Sequence, residues 1–577
     1  MKKTAAWLAR YALEQIGVKF TFGIPGVHNT EIYDELNNSE QITPILVTHE
    51  GCGAFMADAM SRCSDSIGTL VIVPAAGATH AASGIGEAFL DGIPMLVICG
   101  GIRTDSQFSY QLHDMDQHKM LEPITKQTFK ITRHEDVIST IYQAYQIATQ
   151  GEPGPVFIEI PINLQLDRGE VSSLPTYNKM TTVLLGNMDA QIEQAAELLA
   201  KAKKPGLFLG WGAVDATQYS EQIADLLTAP VSTTLQGLSA FSARHPMHTG
   251  MSFGPSAVPA ATNAFENCDC LLAVGTRFAE IATGSYGVTV PENLIHIDIN
   301  PKVFNANYPA KVSIEGDASL LLAKLVDKLK EKVITKKTSD TAGAILTDKQ
   351  AYIDEWLNHD SGDRVNPAAF FQALRASIAD DAIVIADDGN HTFLTAELMP
   401  CYHPRHFFSP TDFNCMGYAT PAIVGAKLAN PNKQVIGIIG DGAFLMSQTE
   451  LFTASNHNLG AIFTIFNDGE LSQISQAQQI PYNRKTCTVL PSLNLKAIAE
   501  AAGCQYLRIG DNSEIQRVIT QALSLTEQNK PVVLDVNIDY SKSTRFTQGA
   551  VATNLKRMPL PTKVRMVGRA LWRKVTD

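Results

Sequence analysis

One stretch, residues 435–469, limits what this chain can fold into more than any other: VIGIIGDGAFLMSQTELFTASNHNLGAIFTIFNDG. Its opening apolar run, 435–439, is short enough for a buried strand. A Gly440-Asp441-Gly442 turn follows, then a helix-like segment at 447–456, then a second apolar strand at 461–466 that ends on Asn467. Strands alternating with helices make a parallel sheet, and open sheets of that kind bind ligands at the carboxyl ends of their strands. Asp441 and Asn467 are 26 positions apart, yet the crossover sets them side by side. A carboxylate, an amide oxygen and a backbone carbonyl near Gly469 form the hard oxygen set that Mg²⁺ shares with phosphates and water. Gly442 and Ala443 lack bulk, so amides at the helix start can approach a phosphate. No Walker-type lysine follows, which separates the stretch from P-loop NTPases. Gly-Asp-Gly alone is also an ordinary strand–helix turn; Asn467 tips the reading to a metal–diphosphate site.

The rest of the chain reads as α/β throughout. Its 577 residues suit three or four domains. Short apolar strands at 20–22, 45–47, 69–73, 95–99 and 156–160 alternate with helices at 51–63 and 79–90, which gives a first doubly wound parallel-sheet domain over 1–165. A polar connection at 167–187 leads to a middle domain over 188–332, with strands at 205–209, 231–234, 270–274 and 294–297. A charged linker at 336–341 precedes a third domain over 365–540. The tail, 546–577, is basic, with Lys556, Arg557, Lys563, Arg565, Arg569, Arg573 and Lys574. Val564, Val567, Leu571 and Val575 fall near one helical face there, so the tail suits a membrane surface or, as the favoured reading, docking on the acidic body or a partner subunit. The formal net charge of −12 speaks against general nucleic-acid binding. The 9 cysteines are scattered, without a CxxC pair, as in a reducing cytoplasm. The N-terminal segment reads as an amphipathic helix because Arg10 and Glu14 interrupt any signal core. No charge-free apolar span of membrane length occurs.

Gly440-Asp441-Gly442, 24 residues and then Asn467 resembles the motif of thiamine diphosphate (ThDP) enzymes. The resemblance implies that Asp441, Asn467 and the Gly469 carbonyl hold Mg²⁺ against the cofactor diphosphate. It extends over nearly the whole chain, through TFGIPG at 21–26, EAFLDGIPMLVICG at 87–100, PGPVFIEIPIN at 153–163, VGTRF at 274–278 and IHIDINP at 295–301, in the manner of acetolactate synthase (acetohydroxyacid synthase) large subunits. Glu50, in VTHEGCGAF, lies where the family places the glutamate that hydrogen-bonds the aminopyrimidine ring. A lone acid at a helix start could instead answer the helix dipole. By resemblance, Gly389, Asn390 and His391 of DDGNHTF approach the diphosphate, and Met416 presses near the hinge between the cofactor's rings. Glu50 and Asp441 then serve opposite ends of one cofactor, which in the family meet across a dimer interface.

Substrate residues follow with less support from the motif. His28 and His113 suit proton transfer to a 2-oxo acid, against a reading as ordinary loop histidines. His49 is expected to point away from Glu50. After Asn467 the family pattern breaks. Acetolactate synthases carry Gly-Met-Val and then Gln-Trp-Gln, whereas this chain has Ser472, Gln473, Ile474, Ser475, Gln476, Ala477 and Gln478. Gln473 and Ile474 are the expected substrate contacts, and Ala477 leaves room where the family has tryptophan. FAD is a further expectation for the middle domain, from FLGWGA at 208–213 and GTRF at 275–278. The expected activity is ThDP- and Mg²⁺-dependent decarboxylation of a 2-oxo acid with carboligation, in a homodimer or homotetramer. The alternatives are simple 2-oxo acid decarboxylation, an oxalyl-CoA decarboxylase or 2-hydroxyacyl-CoA lyase-like reaction, and a non-catalytic scaffold that keeps only the fold.

Overall fold

The computed structural model of the chain describes residues 1–179, 188–333 and 340–576. Three parallel six-stranded sheets carry the fold. The first runs Thr43–Leu46, Phe20–Gly23, Gly68–Ile72, Met95–Gly101, Pro155–Pro161 and Gln127–Lys130 across the sheet. The middle sheet runs His248–Met251, Val231–Thr233, Pro205–Leu209, Cys270–Val274, Asn293–Asp298 and Val312–Glu315. The third runs Phe407–Phe408, Ile383–Ala386, Val435–Gly440, Ile462–Phe466, Val532–Val536 and Gln505–Ile509. Helices cover both faces, so the central strands are apolar without alternation. Each sheet is doubly wound: the chain runs outward in opposite directions from two neighbouring strands. Those switch points lie between Phe20–Gly23 and Gly68–Ile72, between Pro205–Leu209 and Cys270–Val274, and between Ile383–Ala386 and Val435–Gly440. A crevice for ligands opens at such points.

The first and third domains share one core. The Glu50–Cys63 helix packs on the Ala419–Ala429 helix. Their backbones approach so closely that a Cβ on Gly425 would lie 2.3 Å from the Met56 carbonyl oxygen. Arg62 is fully buried at this contact. It forms ion pairs with Asp58 at 2.7 Å and Asp91 at 2.8 Å, and Tyr418 donates to Asp58 from the other domain at 2.5 Å. Glu87 accepts from the amides of Thr411 and Cys415 across the same seam.

Three segments differ from the sequence reading. The helix after Gly440 begins at once, as Asp441–Ser447, and a second short helix, Glu450–Asn456, follows. The acidic side chain at the first helical position answers the orphan amides there, so no separate turn is needed. The expected linker at 336–341 lies largely outside the described residues, but Thr341 already opens a 17-residue helix, Thr341–Leu357, anchored by the buried Trp356. The connection at 167–187 includes the strand Arg168–Glu170, which pairs antiparallel with Lys2–Thr4; residues 180–187 lie outside the described residues.

The basic tail forms two helices, Arg545–Arg557 and Leu560–Thr576. The second packs on the Ser472–Tyr482 helix. Arg569 donates to the Pro481 carbonyl at 3.0 Å and lies over the Tyr482 ring, and Arg573 donates to the Tyr482 carbonyl. These carbonyls stand at the end of a helix, where cations are favoured. Leu560, Val564, Val567 and Leu571 remain exposed on the outward side. No described helix is long and apolar enough to cross a membrane.

Candidate active site

The carboxyl edge of the third sheet gathers the expected metal ligands. Gly440 pairs with Phe466 across neighbouring parallel strands, so Asp441 and Asn467, one residue further on, stand next to each other. Asp441 is buried, and its Oδ2 accepts from the Gly469 amide at 2.7 Å and the Asp468 amide at 3.2 Å. Asn467 donates through Nδ2 to Asp535 Oδ1 at 3.1 Å, while Tyr506 donates to the other Asp535 oxygen at 2.8 Å. Asp535 thereby fixes the amide by its nitrogen and leaves Asn467 Oδ1 to accept or ligate. Gly469 takes a left-handed backbone, φ +79°, and its carbonyl accepts from the Leu490 amide at 2.9 Å, which leaves it one lone pair. Burial pushes the Asp441 carboxyl up to about 6. A divalent cation would reverse that cost. Among the described residues no cluster of three His, Cys, Asp or Glu side chains offers a metal cage, whereas carboxylate, amide and carbonyl leave positions for diphosphate oxygens and water.

The Gly442 amide, expected to face a phosphate, donates to Asp441 Oδ1 at 2.8 Å in this structure. A Cβ on Gly442 would lie 2.3 Å from Leu471 Cδ2, so a side chain there would push that leucine aside.

Gly389, Asn390 and His391 follow the neighbouring strand across the switch point. The His391 ring lies between two glycines: a Cβ on Gly389 would sit 2.6 Å from its Cε1, and one on Gly440 2.8 Å. His391 Nε2 is buried without a partner, and burial drives the imidazole down to about 3. An orphaned ring nitrogen beside the metal edge suits a bound polar group. Asn390 donates to Gln476 at 3.3 Å. Asp387, at the strand end, is fully buried and accepts from the amides of Gly417 and Ala419 at 2.9 and 2.8 Å. It therefore fixes the loop carrying Met416, which sequence reasoning did not single out it for. Its carboxyl is pushed up to about 7 by burial.

The second cluster lies on the first sheet. Glu50 opens the Glu50–Cys63 helix and is buried. Its Oε2 lies 3.0 Å from His80 Nδ1. His49 caps the same helix, accepting from the Gly51 amide through Nδ1, and stacks on His80 with centroids 4.8 Å apart. His49 thus belongs to the Glu50 cluster, contrary to expectation, because the strand ends at Leu46 and the capping geometry turns the ring back. His28 and His113 come together, ring centroids 5.1 Å apart, on the loops that follow Phe20–Gly23 and Met95–Gly101. His113 takes φ +67° and donates through Nδ1 to the Pro74 carbonyl at 2.7 Å, which fixes its tautomer when neutral. His28 Nδ1 is buried without a partner, and burial followed by the charge of His113 lowers its pKa.

Gln473 and Ile474 occupy the first turn of the Ser472–Tyr482 helix. Ile474 is exposed, and Gln473 Oε1 is buried without a partner. Asp535, Asp387 and His80 were missed in the sequence. An acid inside the apolar run VVLDV was a usable signal for Asp535; His80 carried none.

The two edges, with one oxygen-rich and one glutamate-centred cluster, define a class, the thiamine pyrophosphate enzymes. Residues 2–120, 192–325 and 387–536 match that family's N-terminal TPP binding domain, central domain and C-terminal TPP binding domain. The chain is 30% identical to the acetolactate synthase large subunit of Haemophilus influenzae over 94% of its own length and 96% of that protein. It is 31% identical to a probable acetolactate synthase large subunit of Methanocaldococcus jannaschii, over 92% and 90%, and 29% identical to acetolactate synthase isozyme 3 large subunit of Escherichia coli, over 94% and 96%. The chain belongs to the acetolactate synthase family of thiamine pyrophosphate enzymes.

Proposed function

We propose that the chain decarboxylates a 2-oxo acid and joins the remaining acyl fragment, as the nucleophile, to a second carbonyl compound, with ThDP and Mg²⁺ bound between Glu50 and Asp441. The observation that carries this is the pair of clusters at the carboxyl edges of the first and third sheets, Glu50 with His80 on one and Asp441 beside Asn467 on the other. Bound ThDP would supply the electron sink that accepts the pair released with CO₂. Asp441 and Asn467 would ligate Mg²⁺ together with the remaining Gly469 lone pair, Asp535 orienting the amide. His391 Nε2 and the loop at Gly389 and Asn390 would meet the diphosphate. Ala443 lies at the helix start on the same edge. Glu50 would hydrogen-bond the aminopyrimidine ring, and Met416 would support the cofactor from the Asp387-held loop. His28 and His113 would hold or move a proton at the substrate carbonyl. Gln473 and Ile474 would meet the second substrate, with Ala477 leaving room beside them.

The glutamate and metal clusters require a second copy in this reading. Phe108, Tyr110, Leu112 and Met115 near His113, and Met446 and Ile474 near the metal edge, all stay exposed in one chain. Apolar exposure flanking both half-sites supports burial between subunits of a dimer or tetramer. Nine free thiols suit a cytoplasmic enzyme.

FAD would be held, by the resemblance of the middle domain, near the middle sheet's switch point. There a Cβ on Gly275 would lie 2.4 Å from the Gly212 Cα. Arg277 beside it is tied to Asp412 at 2.7 Å and to the Leu90 carbonyl. The visible spectrum of purified protein decides the matter.

Incubation of the purified chain with Mg²⁺, ThDP and a panel of 2-oxo acids, with products identified by mass spectrometry, tests the function. A 2-hydroxy-3-oxo acid skeleton is the expected product. Aldehyde alone would replace ligation by simple decarboxylation.

A further inference from the structure

The peptide unit between Pro74 and Ala75 is held at both ends, in a conformation that alanine resists. The Pro74 carbonyl accepts from His113 Nδ1 at 2.7 Å, and the Ala75 N–H of the same peptide donates to Gln117 Oε1 at 3.2 Å. Ala75 stands at φ +54° and ψ −88°, just ahead of the Ala76–Asp91 helix. Outside glycine that region is strained and persists only where the surroundings impose it. Gln117 supplies the restraint. Its side chain is buried, and its Nε2 donates to Glu159 Oε2 at 2.7 Å, which leaves Oε1 turned to Ala75. Glu159 is fixed in turn by His118 Nε2 at 3.1 Å and Lys130 Nζ at 3.0 Å. Against the cost of burial, His118, Gln117 and Lys130 together hold its carboxyl down to about 2, so it presents only acceptors to the Gln117 amide.

Turning this one peptide plane over by half a turn would return the Ala75 φ to the negative values that L residues prefer. Proline permits the rotation, because its ring fixes φ and leaves ψ free. The same rotation would present an N–H, in place of a carbonyl, to His113 Nδ1. A neutral imidazole facing a carbonyl carries its proton on Nδ1 and keeps a lone pair on Nε2; facing an N–H, it carries the proton on Nε2. The orientation of one strained peptide thus decides which nitrogen of the neutral His113 ring can accept a proton. We propose that Gln117 is a positioning residue: by holding the Ala75 N–H it keeps the Pro74–Ala75 peptide from turning over, and so keeps Nε2 of neutral His113 an acceptor. Its consequence for turnover rests on the proton role proposed above for His113; the orientation of the peptide does not.

Gln117→Met keeps the volume of the side chain and removes both of its hydrogen bonds. A crystal structure of this variant of the full chain is expected to show the Pro74–Ala75 peptide turned over, with a negative φ at Ala75. NMR of the histidine ring nitrogens at about pH 8, where a free imidazole is mostly neutral, should then report His113 protonated on Nε2 in the variant and on Nδ1 in wild type. With Mg²⁺, ThDP and the best 2-oxo acid, kcat is expected to fall about 10-fold and KM to stay within about twofold. The same substitution is then made on an Ala75→Gly background. Glycine takes either sign of φ, so the drive to turn over is gone, and there Gln117→Met is expected to cost less than about threefold in kcat. Gln117→Asn, one methylene too short to reach both Glu159 and Ala75, repeats the comparison if the methionine variant does not fold. An unturned peptide in the Gln117 variant, or an equal loss of kcat on both backgrounds, would overturn the proposal. A wild-type chain that turns over no 2-oxo acid would overturn the function instead, and the crystal structure and the ring-nitrogen spectra would still decide the role of Gln117.

Discussion

At the scale of residues, Glu50 and Asp535 carry different kinds of claim. Glu50→Gln keeps size and a hydrogen bond but cannot act as an acid or carboxylate. It is expected to keep ThDP retention and lose turnover by about 10²-fold or more, the usual range for one acid–base group. Steady-state kinetics and cofactor retention after gel filtration check it, and unchanged turnover would remove Glu50 from activation. Asp535→Ala removes the acceptor that holds Asn467 Nδ2. The amide can then rotate, so the apparent Mg²⁺ affinity is expected to fall about 10- to 100-fold, as for other partners of metal ligands. Metal-dependent ThDP binding measures that loss. Glu50, Asp441 and Asn467 were legible because their spacing carries chemistry. His80 and Asp387 were not, because their partners lie 30 residues away in each case, Glu50 from His80 and Gly417 from Asp387. Only the fold brings such pairs together.

At the scale of elements, two attachments govern the site's outer parts. Glu397 accepts from the amides of Arg545 and Phe546 at the start of the Arg545–Arg557 helix, and from the Tyr352 hydroxyl. Burial pushes its carboxyl up to about 7. The folded state therefore binds this proton more tightly than the unfolded chain, whose glutamates titrate near about 4.3. The stabilising contribution is complete below the unfolded value and is lost as pH rises through about 7. Glu397→Gln stays neutral throughout. Its Tm relative to wild type is expected to climb between about pH 4 and 8, and a constant difference would show that burial does not govern this carboxyl. At the domain seam, Arg62 is paired on both sides by buried carboxylates. Arg62→Met leaves Asp58 and Asp91 without it and is expected to cost about 3–5 kcal/mol in denaturant unfolding. Strand positions were readable from their apolar runs. The start of the helix at Asp441 was not, because Gly-Asp-Gly serves turns and helix starts equally. The docking of the last helix through arginines was also hidden, since it depends on free carbonyls at another helix's end.

At the scale of the whole molecule, three doubly wound sheets were visible in the alternation of apolar strands and helices. How the first and third domains join was not visible, because the Glu50–Cys63 and Ala419–Ala429 helices meet through small residues that read as ordinary helix interior. Their union within one chain leaves apolar side chains exposed beside both half-sites. The central claim is that one active site takes Glu50 from one subunit and Asp441 from another. Co-expression of Glu50→Gln and Asp441→Ala chains with different tags, and purification of the hybrid that carries both, tests it most directly. Each variant alone should be inactive. In the hybrid dimer one site receives both lesions and the other receives neither, so about half the wild-type activity per dimer is expected. A purified hybrid as inactive as its parents would contradict the shared site.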